Sequence, residues 1–208
     1  MRAMIRRFEV RRAMTAMVAL TSAAGLMSAA SQGVAAQAPI GFEYRLLATT
    51  KTSTMEKEMN QAAEAGFRFY SAMGGDTAIG GSEVVAVMAR NSNGRGRYVY
   101  RLLATSKTST MEKEMQQAAD AGFEYRAQTV FSSTFGGDEV VCILERDKDA
   151  EPLHSRYRLL ATTKTSTLEK ELQEVGAAGY ELVGMTVAKT ALGGKELVAI
   201  TRRVDPSR

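Results

Sequence analysis

Along Tyr44-Arg-Leu-Leu-Ala-Thr-Thr50 the residues alternate, with Tyr44, Leu46 and Ala48 on one side and Arg45, Leu47 and Thr49 on the other. A period of two is that of a β-strand with two distinct faces. From Thr54 the period changes. Met55, Met59, Ala62 and Ala63 fall at i, i+4, i+7 and i+8, with Glu56, Lys57, Asn60 and Glu64 opposite them, which predicts an amphipathic helix. Ser53 followed three residues later by Glu56 has the spacing of a capping box and is expected to open that helix. Gly66 suits the left-handed position just beyond its end. Two further strands are then expected. In the last third of the chain they read as 180–188 and 196–203, joined by a loop holding Gly193 and Gly194.

The same pattern occurs three times. Residues 44–90, 100–146 and 157–203 align over 47 positions without a gap, each opening Tyr-Arg-Leu-Leu-Ala-Thr and continuing Lys-Thr-Ser-Thr and Glu-Lys-Glu. The capping pair returns as Ser109 with Glu112 and Ser166 with Glu169, the helix-ending glycine as Gly122 and Gly179, and the glycine pair as Gly80-Gly81 and Gly136-Gly137. The first copy has Gly74 and Gly75 where the second has Val130 and Phe131. Internal repetition at this period predicts an array of one small supersecondary unit. The expected division is a signal peptide at 1–36, a short mature segment at 37–41, repeats at 42–90, 98–146 and 157–203, linkers at 91–99 and 147–156, and a tail at 204–208. The expected fold class is α+β: three tandem βαββ repeats, each a three-stranded, mostly antiparallel sheet with one helix on a face, packed together with pseudo-threefold symmetry. A unit of this size buries too little surface to be comfortable alone. The second apolar sheet face, taken as Leu47, Val85 and Val87 in the first copy, is therefore expected to meet the other copies.

Charge changes the picture at the N-terminus. Arg2, Arg6, Arg7, Arg11 and Arg12 precede an interrupted apolar run from Ala13 to Ala30, and a small-x-small site ends at Ala36. That is the plan of a secretory signal peptide, too weak for a membrane span, with cleavage expected near Gln37 and the general secretory route favoured over the twin-arginine one. The expected localisation is periplasmic or secreted, with no stable membrane span after cleavage. Five of the 27 basic and one of the 23 acidic residues fall in 1–36, which leaves 22 of each in the mature part. A neutral chain lacks the electrostatic footprint of a nucleic-acid binder, and that class is set aside.

Candidate chemistry is sparse. Cys142 is the one cysteine, inside Val140-Val141-Cys142-Ile143-Leu144, where it reads as a small buried hydrophobe. His154 is the one histidine, in a charged linker, so histidine-dependent triads and histidine zinc sites lack their parts. Gly193-Gly194-Lys195 fails as a phosphate loop, because Glu196 and Lys189 stand where it needs a hydroxyl residue and a glycine. Glu83, Glu139 and Glu196 precede the third strand of each copy; three carboxylates about an axis could hold a cation, but with one such acid per unit solvated strand-end charges are the favoured reading. What remains is the hydroxyl-rich stretch at each helix start: Lys51, Thr52, Ser53; Lys107, Thr108, Ser109; and Lys164, Thr165, Ser166. Free backbone N–H groups, hydroxyls and an ammonium at a helix N-terminus favour phosphate, sulfate or carboxylate. The same residues are also ordinary caps and solvated charges. No catalytic set, metal site or cofactor is predicted.

The stretch Leu172-Gln-Glu-Val-Gly-Ala-Ala-Gly-Tyr-Glu-Leu-Val183, followed by Leu197-Val-Ala-Ile-Thr-Arg202, resembles the bacterial family known as domain of unknown function 4177. Members of that family have a Tyr-Lys-Val-Val strand, a helix ending Leu-Asn-Glu-Leu-Gly-Ala-Glu-Gly-Trp-Glu-Leu, and a strand ending Lys-Arg. Here Phe67, Phe123 and Tyr180 replace the tryptophan, and Lys-Thr-Ser-Thr is not a hallmark of the family. The resemblance implies the βαββ fold and no activity. The expected function is therefore a non-enzymatic, exported binding or interaction module whose partner is an unknown protein or a small anionic ligand. The alternative is a small-molecule or anion carrier using the three Lys-Thr-Ser-Thr helix starts.

Overall fold

Each repeat folds as strand, helix, strand, strand. In chain order the elements are β1 (Glu43–Thr49), α1 (Thr52–Glu64), β2 (Arg68–Thr77), β3 (Gly81–Arg90), β4 (Tyr98–Thr105), α2 (Thr108–Asp120), β5 (Glu124–Ser132), β6 (Asp138–Asp147), β7 (Ser155–Thr162), α3 (Thr165–Ala177), β8 (Glu181–Lys189) and β9 (Lys195–Val204). The computed structural model describes residues 41–77, 81–132, 138–189 and 195–205, and these belong to one compact unit. The expected signal peptide, its cleavage site, and Gly80, Gly136, Gly137, Gly193 and Gly194 lie outside the described residues. No described helix is long and apolar enough to cross a membrane.

The fold class is the expected one. There are three antiparallel three-stranded sheets, ordered β1-β3-β2, β4-β6-β5 and β7-β9-β8, each with one helix. The helix stripe is buried as its period requires: Met55, Met59, Ala62 and Ala63 in α1, and Met111, Met115, Ala118 and Ala119 in α2. Gly66, Gly122 and Gly179 have φ of +88°, +82° and +83°. Phe67 N–H returns to Ala62 O (3.0 Å) and Gly66 N–H to Ala63 O (2.9 Å), which is the pair of bonds that closes a helix through a left-handed glycine.

The helix starts differ from expectation. The residue before each helix is Lys51, Lys107 or Lys164 in extended conformation, with no side-chain cap. Ser53, Ser109 and Ser166 lie one residue inside the helix and cap nothing. Instead Thr49 Oγ1 accepts from Lys51 N–H (3.2 Å), and Thr105 and Thr162 do the same for Lys107 and Lys164. The glutamates expected to complete a capping box are used elsewhere. Leu102 N–H donates to Glu56 Oε2 (2.8 Å), and Tyr100 N–H to Asn60 Oδ1 (2.9 Å), while Asn60 Nδ2 donates to Tyr100 O (2.9 Å). Thus α1 satisfies the free main-chain edge of β4 in the next repeat. One repeat on, Glu112 accepts from Leu159 N–H (2.8 Å) and Gln116 from Tyr157 N–H (3.2 Å), with Gln116 Nε2 donating to Ser155 O (3.2 Å). Residues four apart on a helix rise about 6 Å, and residues two apart on a strand about 6.6 Å. One helix face can therefore read alternate amides of a strand edge, and the edge is hidden from pairing with other chains.

The repeats consequently stack in a row. Each inner helix lies between the sheet of its own repeat and the sheet of the next. The first core combines α1 with Leu47, Val84, Ala86 and Met88 on one side, and Tyr100, Leu102, Val141 and Ile143 on the other. The second repeats it, from α2 to Tyr157, Leu159, Val198 and Ile200. The third, under α3, is much smaller, with Leu160, Leu168, Val175 and Ala199 as its buried members.

Two expectations need correcting. Leu47 pairs across the ladder with Ala86, so it shares the helix-covered face with Val84, Ala86 and Met88 rather than a face with Val85 and Val87. The face carrying Val85 and Val87 is open in the first repeat; its equivalents, Val141 with Ile143 and Val198 with Ile200, meet the preceding repeat. The pseudo-threefold arrangement is also not closed. One step relates repeat 1 to 2 and again 2 to 3, but Tyr44 and Leu46 in repeat 1 are 57% and 67% exposed, whereas Tyr100 and Leu102 are 2% and 8% exposed.

Candidate functional site: an arginine cleft at the first junction

The sheets of neighbouring repeats abut along β2, β5 and β8, and at the first junction they come close. A Cβ built on Gly74 would stand 2.3 Å from Val130 O, so this glycine allows the approach of β5. Toward the other end of the same strands, Glu145 of β6, opposite Glu124 of β5, is buried at 1% exposure and is fully bonded. Arg68 of β2 donates to it through Nε (3.1 Å) and NH2 (2.8 Å), Arg126 of β5 through Nε (2.9 Å), and the Tyr100 hydroxyl at 2.7 Å. Tyr100 Oη in turn accepts Phe69 N–H of the first repeat (2.7 Å). A buried carboxylate needs such partners, because its desolvation is repaid only by charge-assisted hydrogen bonds. Glu145 holds the Arg68 guanidinium more firmly protonated than usual, and burial next to that carboxylate pushes the Tyr100 phenol well above its ordinary range.

The second junction reverses the charges. Arg202 stands where Glu145 does, and Glu124 where Arg68 does, with Arg202 bonded to Glu181 and 3.9 Å from Glu124. Tyr157 repeats the role of Tyr100, accepting Tyr125 N–H (2.8 Å). Burial raises its phenol also.

At the first junction the arginines line a cleft. It measures about 590 Å³ and is lined by Arg68, Arg90, Arg95, Arg97 and Arg126, with Tyr98, Tyr70 and Phe42 as aromatic walls and Glu145 at its base. Arg68 and Arg97 lie over the Tyr98 ring at 4.4 and 5.2 Å, which holds both guanidiniums in place. Arg97 is paired with Asp147 and lowers that carboxyl below its usual range, while Arg90 is paired with Glu43 and donates to Ala65 O (2.7 Å). Five guanidiniums therefore meet three carboxylates, one of them shared, and Arg95 is exposed in the linker. The size is that of small-ligand pockets, and forked cations beside aromatic rings suit a planar carboxylate or a phosphate.

The residues singled out from sequence lie elsewhere. Lys51, Ser53, Lys107, Ser109, Lys164 and Ser166 are exposed, each set at the start of a different helix. A narrow crevice beside the second set is lined by Thr105, Lys107 and Thr108 together with Glu196, Val198 and Ile200 of the next repeat, and by no residue of the other two sets. Glu83, Glu139 and Glu196 belong to three different sheets, and among the described residues no three His, Cys, Asp or Glu side chains cluster as metal ligands. Cys142 is completely buried, and burial pushes its thiol up to about 12. The arginine cleft had a signal in the sequence. Aligned positions 68, 124 and 181 read Arg, Glu, Glu, and positions 89, 145 and 202 read Ala, Glu, Arg. These opposite changes mark residues that face each other across a junction. Comparison with family models, curated proteins and solved structures finds nothing that matches this chain.

Proposed function

We propose that this chain is an exported, non-enzymatic binding protein of the cell envelope that takes a small anionic ligand in the arginine cleft between its first two repeats. The reading rests on five guanidiniums around a cleft of about 590 Å³ whose lining includes one acid, Glu145, already bonded to Arg68, Arg126 and Tyr100. Two further features support it. The buried Cys142 thiol, pushed up to about 12, is unsuited to act as a nucleophile, and the Arg-rich start with its apolar run has the plan of an export signal. The likeness of each repeat to domain of unknown function 4177 is part of the same proposal and brings no activity with it.

Nuclear magnetic resonance titration with citrate and with inorganic phosphate tests the site. Shifts concentrated at the backbone amides of Arg68, Arg97, Tyr98 and Arg126, and weakened by Arg95→Glu, are expected; Arg95 is exposed, so that variant should fold normally. Shifts confined to Ser53, Ser109 and Ser166 would move the site to the Lys-Thr-Ser-Thr helix starts. No shift at either place would remove the anion-binding reading.

A further inference from the structure

Among the described residues two interfaces of one design exist, and the two halves of a third stand unmatched in the first and the last repeat. Inside, a glutamate and an amide one helical turn later bind the edge of the next repeat's first strand: Glu56 and Asn60 on β4, then Glu112 and Gln116 on β7. Helix α3 presents the same pair as Glu169 and Gln173, both exposed. At the other end, β1 keeps with β3 the register that β4 keeps with β6 and β7 with β9, since Tyr44 faces Ala89 as Tyr100 faces Glu145 and Tyr157 faces Arg202. The N–H groups of Tyr44 and Leu46 therefore point out of the sheet edge, as those bound by Glu56 and Asn60 do.

The apolar surface is divided the same way. Ten large hydrophobic residues are exposed among the described residues, and eight of them lie on these two faces. Phe42, Tyr44, Leu46, Tyr70 and Met73 form one face, and Leu182, Met185 and Val187 the other. The first set holds together: the Tyr44 ring lies 6.2 Å from Phe42 and 5.8 Å from Tyr70. Exposed apolar clusters of this kind mark contact surfaces.

We infer that the partner for both faces is a second copy of this chain, docked head to tail so that α3 and β8 of one molecule cover the β1 edge and open sheet face of the next. Glu169 accepts Leu46 N–H, and Gln173 accepts Tyr44 N–H and donates to Phe42 O, as Glu112 and Gln116 do at β7. Charge does not oppose the fit. The head has Ala89 at the place of Glu145 and Arg202, and on the tail Glu181 is already paired with Arg202, so no like charges meet. The contact joins two different surfaces, and the inner step runs from repeat to repeat without turning back, so it propagates as an open row rather than stopping at a symmetric dimer.

Sedimentation velocity on protein expressed from its complete sequence tests the inference, with one variant blocked at the head, Leu46→Asp, and one at the tail, Glu169→Arg. Both sites are exposed, and circular dichroism checks that each variant folds as the parent does. The parent should form dimers, trimers and longer rows as concentration rises, each variant alone should remain monomeric, and an equimolar mixture should form a dimer and nothing larger. A parent that is monomeric at every concentration, or that stops at a dimer, would overturn the inference. So would either variant assembling as the parent does.

Discussion

Tyr44 and Tyr100 hold the same place in two copies of one repeat, at the head of the same Tyr-Arg-Leu-Leu-Ala-Thr strand, yet one is 57% exposed and the other 2%. The difference comes from what lies in front of the strand. Tyr100 has α1 and β2 before it, with Asn60 on its main chain and Phe69 N–H on its hydroxyl; among the described residues no helix or sheet stands in that place before Tyr44. Burial in this chain is therefore set by position in the row. Each repeat contributes half of two cores, and the ends keep unused halves. Burying Leu46 as Leu102 is buried would contribute roughly 1.5–3 kcal/mol, which shows how strongly an open end favours cover.

Removing the neighbours altogether should have the largest effect. Residues 98–156 expressed alone, which lack α1 to cover Leu102, Val141 and Ile143 and lack β7 to face α2, should show no cooperative thermal transition near that of the whole protein by calorimetry. Cutting the ionic link at the first junction comes next. Glu145→Ala leaves the partly exposed Arg68 and Arg126 guanidiniums and the buried Tyr100 hydroxyl without their acceptor, and should destabilise by about 2–3 kcal/mol in urea unfolding. Rebuilding the second junction's pattern there, with Arg68→Glu, Glu145→Arg and Arg126→Val together, should recover part of that loss. A triple variant less stable than Glu145→Ala would show that the reversed charges are not equivalent keys.

A smaller effect separates inner from outer helices. Asn60→Ala exposes an unsatisfied N–H and C=O of Tyr100 at a half-buried edge and should cost about 1–3 kcal/mol. Gln173→Ala, its exposed counterpart, should fall within about 0.5 kcal/mol of the parent in dilute solution. Alkali provides the gentlest probe. Three of the seven tyrosines, Tyr100, Tyr125 and Tyr157, have phenols raised chiefly by burial. They should ionise last in an ultraviolet titration. Because their folded values lie above the unfolded value near 10, the stability they contribute is complete below pH 10 and declines as pH rises toward the folded values. An unfolding midpoint unchanged between pH 9 and 11.5 would contradict their burial.

Much of the repeat was legible because local physics decides it. A period of two fixed which residues of 44–49 share a face, a helical period picked out the buried Met55, Met59, Ala62 and Ala63, and Gly66 marked a left-handed turn that a side chain would strain. What joins the repeats was not legible in the same way. Ser53 with Glu56 has the spacing of a capping box, and Glu56 serves instead as an acceptor for a strand 46 residues away. Spacing within one element cannot distinguish those uses, since both put a carboxylate in the first turns of a helix. Gly74 stands where the second copy has Val130, and the close approach of Val130 O is the reason for it, which no spacing in the sequence shows. The hydroxyl-rich helix starts are common to all three copies. The arginine cleft lies where the copies differ, at Arg68 and Glu145, and in a chain of repeats with one fold the differences carry the information about individual junctions.

Hydrogen exchange at the strand edges tests the stacked arrangement most directly, since the amides of Leu46, Leu102 and Leu159 occupy equivalent places and differ in whether a preceding helix is present. In dilute protein, Leu102 and Leu159 should be strongly protected by Glu56 and Glu112 while Leu46 exchanges quickly. Exchange at Leu102 and Leu159 as fast as at Leu46 would mean that the helices do not hold the next repeat's edge, and the stack described here would be wrong.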